Sequence, residues 1–503
     1  MSKLFELRNL CGFDITRPVC DMAAFFDYEL ESAEGSSDIL TTDSFTANAE
    51  QANKMRAVLS VVYADAEHQV KATLELDNSS FSSTQLCQLE QNNQPTGGEL
   101  TRCVKLAVVE VFQQATGAKP AMPWGILTGV RPGKLAHKLL DAGKTVLELP
   151  DYLKQAYLLP QEQGNMLTSI AAKQKQILSD STRFQDAGIY IGVPYCPSRC
   201  SYCSFPAGIV PQDEESQQNF VNLIEQDVQN VVQLLGMHSL SIKSLYIGGG
   251  TPTSLNDKVF ARLLEVVGKY LHFSSVKEFT VEAGRPDCFS KAKLAAMEAA
   301  GVDRISVNPQ TFHDKTLQLI GRRHSVDDFY RAYQEVRQSS IPVINMDLII
   351  GLPGETAPDI AYSLHKAVEL APENLTIHTL TLKRSAALFG SKIQLPAEQA
   401  AELVEQGRQL AASVGLEPYY LYRQHYMLGH LANIGYAKQG TESIYNIQMM
   451  EERHPVIGVG PSSSTKLPLA DGHHLRRMNM PKNVAVYGNG LGEFCRKREE
   501  LFR

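Results

Sequence analysis

From Ile189 onward, short apolar runs alternate with stretches whose apolar residues recur at helical spacing. The runs at 189–193, 243–248, 278–282, 303–307, 344–350 and 375–380 are predicted strands. Between them, 213–235 carries Phe220, Leu223, Ile224, Val228 and Val231 on one face and 255–270 repeats the spacing, so both are predicted helices. Strands alternating with helices argue for βα units on a parallel sheet, an α/β fold. In parallel barrels the chemistry gathers at the C-terminal ends of the strands, and the polar and glycine-rich motifs of this half all follow such runs.

The first 180 residues have a different rhythm. The segments 54–63 and 68–76 read as a β-hairpin across Ala64-Asp-Ala-Glu67. A helix is predicted after Pro95 and Thr96, with Leu100, Cys103, Ala107, Val111 and Ala115 on one face and Gly117 ending it. A short helix through Leu139 closes at Gly143, and another runs from about Gln161 to Asp180. Asn48, Asn53 and the Ser/Gln/Asn-rich stretch 78–94 read as loops. Three regions are therefore expected: an α+β N-terminal domain over 1–180, a barrel over 181–390 and a C-terminal region over 391–503.

Composition narrows the classes. With 503 residues, 43% hydrophobic and 20% charged, the chain has the make-up of an ordinary globular protein of more than one domain. It has no run of roughly 20 apolar residues, so no membrane span is expected. Met1–Arg8 has neither the apolar core nor the cleavage site of a signal peptide. A net charge of −7 argues against a nucleic-acid surface. Nine cysteines in so long a chain do not make a disulfide framework, and a reducing cytoplasm is the expected compartment.

Three of those cysteines fall in one loop, Cys196-Pro-Ser-Arg-Cys200-Ser-Tyr-Cys203, directly after the first apolar run. Three thiolates so close can hold three irons of a cubane cluster, whereas a structural cluster takes four. The fourth iron is then open to a substrate or cofactor. Zinc prefers four ligands in paired spacings, and no second pair exists here. Further candidates stand at the later strand ends. Gly248-Gly-Gly-Thr-Pro-Thr253 allows close backbone approach to a ligand. Glu282 is a carboxylate at a strand end, followed by Gly284-Arg285-Pro286; Arg285 is open between an ion pair and a substrate contact. Gln310 and Arg322 lie twelve residues apart, and an arginine fork binds a carboxylate bidentately. Asp347, inside the apolar run Met346 to Ile350, either caps local backbone or holds the hydroxyls of a ribose.

The cysteine loop resembles the signature of the radical S-adenosylmethionine (SAM) enzymes. Tyr190-Ile-Gly-Val-Pro-Tyr-Cys196 resembles, within them, the oxygen-independent coproporphyrinogen III dehydrogenases and their relatives, over about residues 185 to 470. That resemblance implies a partial (β/α)6 radical-SAM barrel with an α+β N-terminal domain and a C-terminal extension. It implies a [4Fe-4S] cluster on Cys196, Cys200 and Cys203, with SAM on its open iron. Gly249, Gly250 and Thr251 would receive the SAM amine, and Glu282 the amine or ribose. Gln310 and Asp347 would meet the ribose and Arg322 the carboxylate, with Arg323 competing for that place. Ile349 would border the adenine, Tyr202 would stand near its other side, and Tyr190 belongs to the same cofactor-binding set. His324 is read as structural. Thr441–Asn446 and Val456–Thr465 resemble the family's closing region beside the cluster.

The implied reaction passes an electron from the cluster to SAM, splitting it into methionine and a 5′-deoxyadenosyl radical. That radical takes hydrogen from a propionate of coproporphyrinogen III, and loss of carbon dioxide and a further electron leaves a vinyl group. Two rounds give protoporphyrinogen IX. An electron donor of flavodoxin or ferredoxin type is implied, with coproporphyrinogen III or a related tetrapyrrole as the partner. Arg285, Lys383 and Arg384 are candidate propionate anchors, and Tyr419, Tyr420, Tyr422, His425 and Tyr426 a candidate apolar wall. Phe205 departs from the dehydrogenase pattern, which has a fourth, non-ligand cysteine there, and is shared with the haem-chaperone branch. A haem chaperone and a radical methyltransferase acting on haem are therefore the alternatives. The N-terminal region, with Pro123-Trp-Gly-Ile-Leu-Thr-Gly-Val-Arg-Pro132 as a domain-packing loop, resembles the HemZ-type branch and favours the dehydrogenase.

Overall fold

The computed structural model describes the chain except residues 1–2, 35–56, 77–78, 91–93, 130, 179–183, 272, 392–393, 425–426 and 470–473. It divides into two compact units, Met1–Thr128 with Pro150–Asn165, and Gly129–Leu149 with Met166–Arg503. No helix among the described residues is long and apolar enough to cross a membrane.

The smaller unit holds a five-stranded sheet. Its strands are β1 (Lys3–Leu10), β2 (Tyr28–Glu34), β3 (Ala57–Ala64), β4 (Gln69–Leu76) and β5 (Ser79–Leu86), in the order β2-β1-β3-β4-β5. The predicted hairpin is β3 and β4, antiparallel with Ala64 opposite Gln69; the part of that prediction at 54–56 lies outside the described residues, as do Asn48 and Asn53. The helix Gly97–Thr116 follows, its first turn capped by Thr96 Oγ1, which accepts from Glu99 N at 3.1 Å, and its end closed by Gly117 at φ 68°. The loop expected over 78–94 is corrected: Ser79–Leu86 is a strand, paired with β4 along its length. Its backbone bonds form it, not its side chains, since only Ser83 of the eight is buried. An edge strand with little to bury carries no apolar pattern.

The larger unit is built on an eleven-stranded sheet. The six predicted strands are β6 (Asp186–Val193), then, after the two-residue pair β7 (Tyr195–Cys196) and β8 (Gly208–Ile209), β9 (Ser241–Gly249), β10 (Glu278–Glu282), β11 (Arg304–Ser306), β12 (Val343–Ile350) and β13 (Asn374–Thr379). They lie side by side and parallel in chain order. The sheet is extended antiparallel beyond β13 by β14 (Glu417–Tyr422) and β15 (Asn433–Ala437). Beside β6 lies β16 (Val456–Val459), parallel to it, followed by β17 (Ser464–Pro468) and β18 (Leu475–Asn479). The predicted helices are Glu214–Met237 and Asp257–Tyr270, with Asp213 and Asn256 as their N-caps.

Strand parity sorts these residues. One set is apolar and buried: Ile189, Ile191, Leu245, Ile247, Phe279, Val281, Ile344, Met346, Leu375 and Ile377. The alternate set is polar, with Tyr246, Glu278, Thr280, Glu282, Arg304, Ser306, Asn345, Asp347, Thr376 and His378. The helix Ile444–Glu451 lies against this polar face. Glu278 accepts from Ser443 Oγ at 2.9 Å and Ile444 N at 2.5 Å, Ser244 Oγ donates to Gln448 Oε1 at 2.7 Å, and Tyr445 stacks on Tyr246. A carboxylate at a helix start satisfies free N–H groups and meets the positive end of the dipole.

The C-terminal helix Leu491–Leu501 is fixed by one ion pair. Arg498 Nη2 donates to Asp227 Oδ1 at 2.5 Å, and both side chains are wholly buried. Asp227 Oδ2 also accepts from Tyr487 Oη at 2.5 Å and Gly460 N at 3.0 Å. Arg498→Met would leave that carboxylate buried without its cation. It is expected to lower the stability of this unit by about 3–5 kcal/mol in urea unfolding. Arg496→Met, an exposed position on the same helix, is expected to leave the midpoint unchanged; equal effects of the two would contradict this.

Candidate functional site

A cavity of about 560 Å³ opens at the C-terminal ends of the parallel strands. Its lining includes Tyr190, Cys196, Cys200, Tyr202, Cys203, Gly249, Gly250, Thr251, Glu282, Gln310, Arg322, Asp347 and Ile349, every residue that the resemblance assigns to the cluster or SAM. Arg323 is exposed and does not line it, nor do the exposed Lys383 and Arg384.

The cysteine loop is closed at its base by backbone. Gly250 N donates to Val193 O at 2.8 Å and Thr251 N to Tyr195 O at 2.6 Å, tying the glycine motif to the entry of the loop. A Cβ on Gly250 would sit 2.3 Å from Tyr195 O, so only glycine permits the approach. On the far side Val210 N donates to Cys196 O at 3.0 Å, and Ser201 N to Ile320 O at 3.0 Å. Cys196 Sγ lies 3.5 Å from Thr251 Oγ1, and Arg285 Nη1 lies 3.6 Å from Cys200 Sγ. Burial pushes the Cys196 and Cys203 thiols above their usual range. Among the described residues no three His, Cys, Asp or Glu side chains converge on a single-ion site. A cubane places each thiolate on a different iron, so three free thiols spread around one loop fit it better than they fit a lone ion.

The wall opposite is polar. Glu282 accepts from Tyr246 Oη at 2.6 Å and Gly249 N at 3.2 Å, and burial pushes its carboxyl up to about 7. Tyr190, Tyr246 and Tyr445 stack beside it, with the Tyr246 and Tyr445 centroids 4.2 Å apart. Asp347 accepts from Asn308 Nδ2 at 2.8 Å and Asn345 Nδ2 at 2.9 Å, with His378 Nε2 at 3.8 Å. Its carboxylate therefore caps no local backbone. Burial would raise its carboxyl, but the His378 ring and the Asn345 amide outweigh that and hold it below the usual carboxylate range. Gln310 takes φ 65°, a left-handed conformation rare outside glycine, between Asp347 O and Ile349 N, which pair with its own N and O at 3.0 Å each. Arg322 Nη1 donates to Asn308 O at 2.8 Å and Gly284 O at 3.2 Å, and Nη2 to Tyr202 Oη at 3.4 Å. Ile349 packs with Leu317, Ile320, Leu352, Leu380 and Tyr202, giving the cavity one apolar corner. Asn308 Oδ1, Gln310 Oε1 and Arg322 Nε are buried without a partner. Buried polar atoms are nearly always paired, so these three suit a polar ligand. Three thiols, an apolar corner and unpaired donors and acceptors together fit an iron–sulfur cluster with a nucleoside-bearing cofactor.

Sequence reasoning missed Tyr246, Tyr445, Asn308, Asn345 and His378. Strand parity could have found one of them: Asn345 lies two residues before Asp347 in the same run. Arg285 is an ion-pair residue with Asp287 at 2.7 Å, so it is corrected from the set of open propionate anchors. His324 is buried 3.7 Å from the same Asp287. Tyr420 and Tyr422 line the cavity, the Tyr420 ring filling the space that Gly435 leaves; an added Cβ there would lie 1.8 Å from Cε1. Tyr419 packs instead with Leu178 and Ile447, which corrects its place in the wall, and His425 and Tyr426 lie outside the described residues.

Burial of Glu282 links stability to pH. In the folded chain its proton leaves at about 7, against about 4.3 in an unfolded chain. Between those values the folded state holds the extra proton, so stability falls as pH rises, by about 4 kcal/mol in full. Glu282→Gln removes this dependence. Without SAM, the stability of the variant relative to the parent is expected to rise steadily from pH 5 to pH 8 in urea unfolding. A pH-independent difference would contradict it; Glu451, also buried and raised to about 7, is common to both proteins and cancels.

Residues 190–367 match the Radical SAM superfamily. The "Oxygen-independent coproporphyrinogen-III oxidase-like protein HemZ" of Bacillus subtilis (strain 168) is 35% identical over 413 residues, 80% of this chain and 82% of that protein. The "Heme chaperone HemW" of the same organism is 32% identical over 267 residues, 51% of this chain and 65% of its own length. Among solved structures, the radical SAM coproporphyrinogen III oxidase HemN from Escherichia coli aligns with a TM-score of 0.50 and 18% identity over 64% of this chain and 72% of that one, a likeness of fold. The chain is therefore a member of the HemN-like family of the radical SAM superfamily, whose cofactors are a [4Fe-4S] cluster and S-adenosylmethionine.

Proposed function

We propose that this chain is an oxygen-independent coproporphyrinogen III dehydrogenase, decarboxylating two propionates to vinyl groups in a reducing cytoplasm. The observation that carries the reading is the single cavity joining the three-thiol loop to a polar wall and to Tyr420 and Tyr422. The likeness to HemZ, over 80% of the chain against 51% for HemW, supports the dehydrogenase.

In this reading Cys196, Cys200 and Cys203 ligate three irons of the cluster. The backbone of Gly249–Thr251 and the Glu282 carboxylate receive the SAM amine, and Arg322 its carboxylate. Gln310 and Asp347 meet the ribose, Ile349 and Tyr202 flank the adenine, and Tyr190 walls the side beside Gly249. Bound there, cluster and cofactor supply radical chemistry able to take a hydrogen atom from an unactivated carbon. Tyr420 and Tyr422 present apolar faces with polar tips to a flat macrocycle. The exposed Lys383 and Arg384 hold propionates. Loss of hydrogen from the propionate β-carbon, then of carbon dioxide and one electron to an acceptor, leaves the vinyl group. The reducing electron would come from a donor of flavodoxin or ferredoxin type.

One observation favours a second reading, a haem chaperone. Phe205, two residues past Cys203, and Ile209, paired with Cys196, are 62% and 58% exposed, apolar side chains able to meet a haem face. Reduced protein with SAM and coproporphyrinogen III is expected to give 5′-deoxyadenosine, carbon dioxide and protoporphyrinogen IX through a mono-vinyl intermediate. Absence of decarboxylated product, with stoichiometric haem binding and transfer to an apo-haemoprotein, would replace the dehydrogenase by the chaperone.

The cofactor assignment has its own test. Arg322→Lys keeps the charge but loses the planar fork. Calorimetry is expected to read about tenfold weaker SAM binding at unchanged iron content, a loss of about 1.4 kcal/mol. Arg323→Lys should bind normally; the opposite pattern would move the role to Arg323.

A further inference from the structure

All five N–H donors of Arg285 are engaged, and one of them ends on sulfur. Nε and Nη2 donate to the two Asp287 carboxylate oxygens at 3.0 and 2.7 Å. Nη2 also donates to Ser198 Oγ at 2.9 Å. Nη1 donates to Ser198 O at 3.0 Å and to Cys200 Sγ at 3.6 Å. The guanidinium is a rigid planar fork, and here one edge fits a carboxylate while the other grips the cysteine loop. Its side chain is only 4% exposed. Cys196 has different company, the neutral hydroxyl of Thr251. A charged donor has thus been brought to one thiol of the loop.

We propose that Arg285 is a positioning residue that raises the reduction potential of the cluster through Cys200, and that Asp287 limits how far. The inference rests on the reading that Cys196, Cys200 and Cys203 hold the cluster. Reduction adds one electron, taken from a low-potential one-electron donor, to a group already carrying thiolate charge. Hydrogen bonds to the sulfurs and nearby positive charge stabilise the reduced form, and both are recognised determinants of cluster potential. Buried charges are screened less by salt than exposed ones, so the contact is felt at the cluster. The Asp287 carboxylate stands on the far edge of the same guanidinium and opposes it. The pair therefore has a signed signature. Loss of Arg285 removes the donor and leaves the carboxylate, lowering the potential. Loss of the Asp287 charge leaves the cation unopposed, raising it. A role confined to holding the loop in shape would move both variants the same way.

The test is an anaerobic redox titration of the reconstituted full-length protein, followed by electron paramagnetic resonance, without SAM, alongside iron content. Arg285→Gln, with about four irons per chain as in a full cubane, is expected to shift the equilibrium for reduction about tenfold toward the oxidised form. For one electron that is about 59 mV to more negative potential. Arg285→Lys should recover part of the shift, and Asp287→Asn should move the midpoint to more positive potential. A parental midpoint in Arg285→Gln with its iron intact would overturn the proposal, and so would a negative shift in Asp287→Asn. Where Arg285→Gln takes up no iron, the sign of the Asp287→Asn shift decides. Failure of the parent protein to take up iron would instead remove the ligand assignment beneath it.

Discussion

The approach of one backbone to another at Gly250 is the constraint on which the rest of the site depends. Gly250 N and Thr251 N donate to Val193 O and Tyr195 O, and no side chain could be accommodated between these strands. That contact fixes the entry of the cysteine loop against the end of β9. It leaves Cys196 beside Thr251 and places the loop across the mouth of the sheet. Glu282 reaches back to Gly249 N from the next strand, so three successive strand ends are held in one arrangement. The loop needs little core of its own because its neighbours supply the bonds, among them Ile320 O, Gly321 O and Leu388 N.

Around that contact the sheet turns a polar face inward. Burying so many polar groups costs free energy unless each is paired, and most are: Glu278 by the start of the helix Ile444–Glu451, Asp347 by Asn308 and Asn345. The helix closes the lower part of that face and leaves the strand ends open. Among the atoms left unpaired, Asn308 Oδ1, Gln310 Oε1 and Arg322 Nε lie where a ligand would be.

Much of this was legible in the sequence because the parallel strands bury one full face, leaving apolar runs that mark their own positions. The loop and the strand-end motifs were legible for a similar reason: Cys196 and Gly249 stand out chemically against the runs they follow, and Asp347 against the run that contains it. What was lost depended on partners far away in the chain. Arg285 could not be assigned until Asp287, Ser198 and Cys200 were seen around one guanidinium. Tyr445, some 200 residues after Tyr246, gave no hint that the two rings stack. In the smaller unit, β5 escaped notice because it buries almost nothing, and β1 because Phe5 and Leu7 make too short an alternation among charged neighbours.

The central claim is a cubane cluster held by three thiolates with one iron left open. Electron paramagnetic resonance of the reduced, anaerobically reconstituted protein tests it most directly. The account predicts a [4Fe-4S] signal that changes when SAM is added, as the open iron takes a ligand, and that is lost in Cys200→Ala while Cys288→Ala keeps it. A signal indifferent to SAM, or a full cluster surviving in Cys200→Ala, would contradict it.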